Sequence, residues 1–327
     1  MNFLIPLIIV SLFKLLYLWA FIMLNQSGVL YMNGFSTRTT IFVLLALLAF
    51  AGNSVLCRLA LVDNAIDEFS FTILRLLSGA MVLYALMSYR RFKVTETRDS
   101  AVVQSGSWWG SILLFVYAIF FSVAYVRVDT GVGALILFGA VQITMIFSAF
   151  LKGKRLSFME WSGVLLAVCG VGYLLWPGEG STAAVSWWGA LLMIISGVAW
   201  GLYSLHGASS RDALADTAAN FLRTVPMVAG LFLLFAFQSP ILSTKGILLA
   251  LASGAFTSGV GYAVWYAVLP SLTSVQAAVM QLLVPILAAA GGVLFAHEHI
   301  TMDLLVSSMM VLGGIFLVVM FRSRPPA

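Results

Sequence analysis

The sequence contains very little charge. Charged residues make up 9% of its 327 residues, whereas soluble domains carry about 25%. Hydrophobic residues make up 62% of the chain, and the mean hydropathy is +1.06. No soluble core can hide this much apolar surface, so most of the chain must be surrounded by lipid.

Cysteine and the motifs of familiar catalytic sites are also scarce. The two cysteines, Cys57 and Cys169, fall inside apolar runs, where we expect them to be packing residues. The segment His297-Glu298-His299 lacks the H-E-x-x-H spacing that places two histidines on one helix face. The sequence has no P-loop, no nucleophile elbow and no pair of mid-membrane carboxylates. We therefore expect no metal, no cofactor, no ATP-driven transport and no enzymatic reaction.

The net charge of +5 is spread over short loops between apolar runs, which argues against a nucleic-acid partner. If the residues before position 41 are cytoplasmic, the inner loops carry about eleven Lys and Arg and the outer loops about two. The two outer residues are Arg127 and Lys245. The asymmetry predicts a multi-pass protein of the plasma membrane, most simply a bacterial inner membrane. Both ends of the repeat region would face the cytoplasm.

Long apolar runs define the spans. A helix needs about 20 mainly apolar residues to cross the bilayer, and ten runs in the repeat region meet this requirement. Joints such as Trp176-Pro177-Gly178 and Leu269-Pro270-Ser271 separate them with ordinary helix breakers. The predicted spans are 41–60, 69–89, 108–126, 131–151, 157–176, 187–206, 218–237, 246–268, 273–296 and 302–321.

The sequence repeats itself. Leu74-Arg75 is echoed by Leu222-Arg223, and at the same offset Arg58 is matched by His206. Further along, Arg155-Leu156-Ser157 is matched by His299-Ile300-Thr301. Each copy holds five spans, an odd number, so the second copy enters the bilayer from the opposite face. The fold class predicted is an all-α membrane protein with ten transmembrane helices arranged as two inverted five-helix repeats.

The N-terminal region, 1–35, stands apart from the first repeat, 36–177, and the second, 178–327. Its apolar run from Phe3 to Leu24 lacks the basic start and cleavage site of a signal peptide. Residues 1–31 are predicted to be either an extra peripheral helix or an upstream extension, because Met32 would also make a sensible start.

Short segments in both halves of the chain follow one another in a recognisable order. In the first half the segments are Ala51-Gly52-Asn53-Ser54, Leu74-Arg75-Leu76-Leu77-Ser78-Gly79, Thr130-Gly131-Val132-Gly133-Ala134 and Gly153-Lys154-Arg155-Leu156-Ser157; in the second they are Ala277-Ala278 to Pro285, Gly292-Val293-Leu294-Phe295 and His297-Glu298-His299-Ile300-Thr301. Together they resemble EamA-type members of the drug/metabolite transporter superfamily. The resemblance covers roughly residues 38–322, and it depends on the order of the segments rather than on any single one.

The resemblance implies a ten-helix transporter, commonly an exporter of amino acids or other small metabolites. The chain departs from the family at two positions. Lys154 stands where the family loop usually has Glu, and Val141 stands where the second copy has Pro285. The second departure predicts that the fourth helix is straighter than the ninth.

Ionisable residues inside spans are costly and count as candidates for function. Arg58 and Arg75 lie near the outer ends of their helices, and their repeat partners His206 and Arg223 lie near the inner ends. One interpretation is a pair of cationic collars that attract a carboxylate-bearing solute. The other is snorkelling or interhelical hydrogen bonding near the interface. No Asp or Glu is predicted deep in a span, which argues against a midplane proton relay.

Polar and aromatic side chains near mid-span are candidates for lining a solute site, since a neutral aromatic cavity with a few amides suits amphipathic or zwitterionic molecules. The amides are the stronger candidates, because an amide in lipid must find a partner. The candidates of this kind are Asn53, Tyr117, Gln142, Trp200, Tyr203, Trp265 and Gln281.

The sequence therefore predicts a secondary transporter that moves a small organic metabolite, an amino acid or related solute, out of the cell by alternating access. Its expected partners are that solute and the lipid bilayer, and a homodimer is compatible with the sequence. An alternative is the efflux of hydrophobic cations or drugs. An alternative of another class is a membrane enzyme or scaffold without transport activity.

Overall fold

The computed structural model describes residues 37–94, 106–153, 155–176, 185–208, 210–235, 240–272 and 274–321. Within the described residues, those from Val43 onward form one compact unit. The apolar run from Phe3 to Leu24, predicted as an extra helix or extension, lies outside the described residues.

Ten helices in the described residues are long and apolar enough to cross a membrane. This confirms the predicted all-α membrane architecture; in the described ranges the only β pairing is an isolated bridge between Ile66 and Leu242. The helices are α1 (Thr37–Leu61), α2 (Glu68–Val94), α3 (Trp108–Tyr125), α4 (Thr130–Leu151), α5 (Phe158–Leu175), α6 (Trp187–Gly207), α7 (Ala213–Phe235), α8 (Thr244–Ala252, Ser253–Val260 and Gly261–Val268 in succession), α9 (Ser274–Gln281 and Leu283–Phe295) and α10 (Met302–Met320).

Polar caps fix where the helices begin. Ser157 caps α5 and Thr301 caps α10, and each accepts a hydrogen bond from a backbone N–H three residues on. These two caps are repeat partners. Helix α7 begins at Ala213, five residues before the predicted start, because the Asp212 carboxylate accepts from the Ala215 N–H and allows a polar first turn.

Corresponding helices of the two repeats pack directly against each other: α2 against α7, α4 against α9, and α5 against α10. This pairing agrees with the two-fold relation that an inverted repeat requires. Between α5 and α10 the backbones approach closely at Gly163 and Gly314, since a Cβ atom added to either glycine would meet the carbonyl oxygen of the other.

Two helices depart from regular α geometry. The middle of α8, Ser253–Val260, is a π-helix, a form that occurs often at functional sites. Helix α9 is interrupted at Leu282, three residues before Pro285, whereas α4 is continuous. Proline has no N–H to donate to the preceding turn, which accounts for the break in α9 alone.

The two ends of the bundle are named here after the predicted orientation. The outer end holds Leu61, Tyr125, Thr130 and Phe295, and the inner end holds Leu151 and Gly207 together with the first residues of α3 and α7.

Candidate functional site

A cavity of about 690 Å³ lies among α1, α3, α4, α6, α7, α8 and α9. It takes residues from both repeats, as expected of a transporter with its solute site between the copies. Its lining continues to the inner end, where Ser107, Gly207 and Ala208 border it. The cavity therefore extends from the middle of the bundle to the inner end.

Eight of the eleven candidate residues line this cavity, and the other three, Arg58, Arg75 and Arg223, lie outside its lining. Of the four residues proposed as collars, only His206 borders the cavity. The eight lining candidates are Asn53, Tyr117, Gln142, Trp200, Tyr203, His206, Trp265 and Gln281.

Sequence reasoning missed the contribution of α7. Asp216, Thr217 and Asn220 all line the cavity, and the predicted span began at residue 218, which left two of them in a loop. Asp216 and Thr217 lie four and three residues before Asn220, a spacing that brings them to the same side of a helix as Asn220. This spacing of polar residues is the sequence pattern that could have predicted their place in the cavity wall.

Aromatic rings form the middle of the cavity wall around Trp200. The ring centroid of Trp200 lies 4.8 Å from that of Tyr117, 5.3 Å from that of Tyr203 and 5.3 Å from that of Tyr262. These rings come from α3, α6 and α8, so one stacked cluster joins helices of both repeats. Flat apolar faces with polar edges suit an amphipathic organic solute.

A buried polar network holds the cavity wall together near α1. Asn53 Nδ2 donates to the Tyr117 hydroxyl at 3.2 Å, and Asn53 Oδ1 accepts from Ser253 at 2.8 Å and Thr257 at 3.3 Å. Arg75 Nη2 also donates to the Tyr117 hydroxyl, at 2.8 Å. The π-helical part of α8 supplies two of these hydroxyls, so the irregular helix positions polar groups at the cavity.

Three segments are tied together at the outer end by Arg58. Its Nε donates to Glu298 Oε1 at 3.0 Å, one Nη donates to Asp129 Oδ1 at 2.9 Å, and the other donates to the Tyr125 carbonyl at 2.9 Å. Glu298 also accepts from the backbone N–H and the hydroxyl of Thr130. These contacts join α1, the α3–α4 junction and the α9–α10 loop.

The carboxyl of Glu298 lies outside the spans and is mostly covered, with 10% of its side chain exposed. Burial raises its pKa above the usual glutamate value, and the neighbouring Asp129 charge acts in the same direction. Hydrogen bonds from Thr130 and Arg58 to the carboxylate act in the opposite direction.

The inner end is held by different contacts. His206 Nε2 and the Ser107 hydroxyl are 2.7 Å apart, and Asp216 accepts from the Gly106 N–H at 2.8 Å. The Arg223 guanidinium lies beside Gly106, next to this cluster. An exposed ion pair between Arg90 and Asp212 joins α2 to the start of α7.

The chain belongs to the EamA-like transporter family, whose model matches it twice, over residues 37–176 and 187–320. Each matched range falls within one of the predicted repeats, 36–177 and 178–327. This confirms the family resemblance drawn from the sequence motifs and assigns the chain to a class of transport proteins.

Curated relatives include an uncharacterized protein of Pseudomonas aeruginosa, 49% identical over 86% of this chain and 94% of that protein. A probable amino-acid metabolite efflux pump of Salmonella typhimurium is 25% identical over 64% of this chain and 75% of that protein. One crystal structure is of a protein that is 20% identical in sequence. The match covers 87% of this chain and 98% of that protein's chain, with a TM-score of 0.58, which shows a shared fold.

Proposed function

We propose that this protein is a secondary transporter of the bacterial inner membrane that exports a small organic metabolite, an amino acid or related solute, by alternating access. The cavity between the repeats is the observation that carries the proposal. Its volume of about 690 Å³ falls in the 300–1,000 Å³ range of small-molecule sites. The Salmonella relative named as a probable amino-acid metabolite efflux pump supports the solute class.

The contacts at the outer end support alternating access. A carrier must keep one end of the site closed while the other is open. The network of Arg58, Asp129 and Glu298 connects helix ends from both repeats at the outer end, while the cavity reaches the inner end. We assign this structure to an inward-open state and call the three residues the outer lock.

Efflux of hydrophobic cations is the second candidate. The aromatic wall around Trp200 favours it, because ring faces attract cations. The buried cation Arg75 behind Tyr117 opposes it. A membrane enzyme or scaffold is a weaker alternative, since the transporter family and the cavity both favour solute movement.

Counterflow in proteoliposomes tests the proposal. Vesicles preloaded with unlabelled amino acids should accumulate the matching radiolabelled amino acid faster than empty vesicles, and Trp200→Ala should lower this rate at least tenfold by removing the central ring. Trp187→Ala is the matched control, because Trp187 is exposed at the start of the same helix. Accumulation of an ethidium-type dye without any amino acid would favour the cation alternative. Accumulation of neither class would remove the transport proposal.

A further inference from the structure

A buried cation at the closed end of the cavity lacks a counter-charge. Arg75 is 2% exposed, and it lies about two turns inside the outer end of α2, which begins at Glu68. In the described part of the chain no carboxylate is within ion-pair distance of it. Tyr117, Tyr262 and Cys57 are the ionisable groups with which it interacts electrostatically, and none of them is a carboxylate. A buried charge without a partner is strongly destabilising, and an arginine inside a span marks a functional site by default.

The cluster of Arg75, Tyr117 and Asn53 contains hydrogen-bond donors that have no acceptor in the described residues. Arg75 Nη1 is buried and has no hydrogen-bond partner in the described residues. The Tyr117 oxygen accepts from both Arg75 Nη2 and Asn53 Nδ2, so its own proton is left to donate. Among the described residues no acceptor takes that proton. The cluster is therefore rich in donors and poor in acceptors.

Tyr117 connects the cation to the cavity. The guanidinium carbon of Arg75 lies 5.1 Å from the Tyr117 ring centroid and 4.7 Å from that of Phe121. Both rings line the cavity, so a single layer of side chains separates the charge from the solute space. A hydroxyl whose oxygen accepts from a guanidinium is polarised and becomes a stronger donor.

The cavity is also electrostatically uneven. Asp216, its only lining carboxylate in the described ranges, lies near the inner end and accepts from the Gly106 N–H. The Arg223 guanidinium lies beside Gly106, so a cation accompanies Asp216 at the inner end, whereas Arg75 at the closed end has no carboxylate within ion-pair distance in the described residues. The positive charge without a carboxylate partner thus lies at the closed end, which favours an anionic group of a solute there.

We propose that Tyr117 and Arg75 form an anion-recognition subsite that selects solutes with a carboxylate. The Tyr117 hydroxyl donates to the carboxylate, and Arg75 is a positioning residue that orients this hydroxyl and supplies the compensating charge. The proposal rests on the proposed transport function, for which it specifies the solute class and the residues that recognise it.

Matched pairs of probes test the subsite: L-leucine with L-leucinamide, and L-phenylalanine with L-phenylalaninamide. Each amide keeps the side chain and the amino group but removes the carboxylate. Ligand binding raises the thermal unfolding temperature of purified protein by mass action. At least one acid should reach half-maximal stabilisation at a tenfold lower concentration than its amide.

Three variants separate recognition from structure. Arg75→Gln should reduce the acid-to-amide preference to within twofold, Arg75→Lys should restore part of it, and Tyr117→Phe should weaken acid binding at least fivefold with little effect on the amide. Arg127→Gln is the matched control, because Arg127 is an exposed arginine whose guanidinium donates to the Val123 carbonyl at the end of α3. Tyr117→Phe keeps the test decisive if Arg75→Gln fails to fold.

Three outcomes overturn the subsite: equal binding of acid and amide by the parent protein, an unchanged preference in both Arg75→Gln and Tyr117→Phe, or stabilisation by no acid of the panel. Counterflow of the same probes distinguishes this failure from failure of the proposed function. Transport of acids and amides alike leaves the transporter assignment in place without the subsite, whereas transport of none removes both.

Discussion

Replacing Arg58 with glutamine should open the outer end of the bundle. The side chain of Arg58 is 13% exposed and donates to Glu298, Asp129 and the Tyr125 carbonyl. The substitution removes the cation, so the carboxylates of Asp129 and Glu298 lose the positive charge that compensates both of them. Their mutual repulsion then favours conformations in which the outer end is hydrated.

The magnitude follows from the two contacts that are best covered. Asp129 is 49% exposed, so its ion pair with Arg58 is screened and is left out. The bonds to Glu298 and to the Tyr125 carbonyl involve a charged group and contribute about 1.5 kcal/mol each at the low end of the usual range. Losing about 3 kcal/mol shifts the closed-to-open equilibrium on the order of 100-fold.

Thiol labelling measures this shift directly. The reporter is Val141→Cys, a position that lines the middle of the cavity, combined with Cys169→Ser. Right-side-out spheroplasts that contain it are treated with an impermeant maleimide. The Cys169→Ser protein without the reporter gives the background labelling, since its remaining cysteine, Cys57, is buried. We expect external labelling of the Val141→Cys reporter to accelerate by up to two orders of magnitude with Arg58→Gln.

The matched control is Asp63→Asn at the same end of the bundle. Asp63 pairs with Lys245 at 2.8 Å, but both side chains are about 60% exposed (61% and 58%). The lysine lowers the pKa of Asp63, yet an ion pair between two exposed side chains is largely screened by water, so labelling should change less than about fivefold. Equal labelling rates for Arg58→Gln and Asp63→Asn would refute the outer lock.

Three further predictions concern pH, packing and orientation. Burial raises the pKa of Glu298 in the closed state, so that state binds a proton more readily than a hydrated open state does. Lowering the pH through this raised pKa therefore favours the closed state. External labelling of the cysteine reporter should slow, after the rate is corrected against that of an exposed cysteine. A Cβ atom at Gly254 would collide with the backbone of α2, while Gly230 has open space around it. Gly254→Ala should thus destabilise by about 1–3 kcal/mol, measured as a lower unfolding temperature, and Gly230→Ala should not. Cysteines at Asn64 and Arg211 should react with impermeant reagents only from outside and only from inside, respectively; the reverse pattern would contradict the predicted orientation.

The ten helices were predictable because lipid imposes a simple requirement on the sequence. Each span must bury its backbone polar groups in a helix of about 20 apolar residues, and that length shows directly in the hydropathy. Prediction failed at the start of α7, where Asp212 and Asp216 interrupt the apolar pattern. Their side chains cap the first turn and line the cavity mouth, so polar residues extend the helix there.

The cavity lining was predictable in part. Asn53, Gln142 and Gln281 were singled out because an amide in lipid needs a partner, and all three face the cavity. The partners of Arg58 were not predictable, since Asp129 and Glu298 lie 71 and 240 residues away along the chain. Composition and spacing identify a charged residue that is energetically unfavourable in a membrane span, but only the packing of both repeats shows which groups compensate its charge.

The two repeats are matched in fold but not in the chemistry of their ends, and this difference bears on which conformation the empty carrier prefers. Applying the repeat offsets to the outer lock gives an inner set that contains no acid. The lock residues and their counterparts in sequence are Arg58 with His206, Asp129 with Thr273, and Glu298 with Lys154. These counterparts include no acid, so they cannot repeat the ion pairs of the outer lock; among the described residues the inner end is joined instead by Arg90 with Asp212 and by Asp216 with Gly106. We propose that the two ends therefore differ in the free energy of closure and that the empty carrier rests with its site open to the inner end. Under the predicted orientation such a carrier loads its solute from the cytoplasm, while the solute gradients set the direction of net transport.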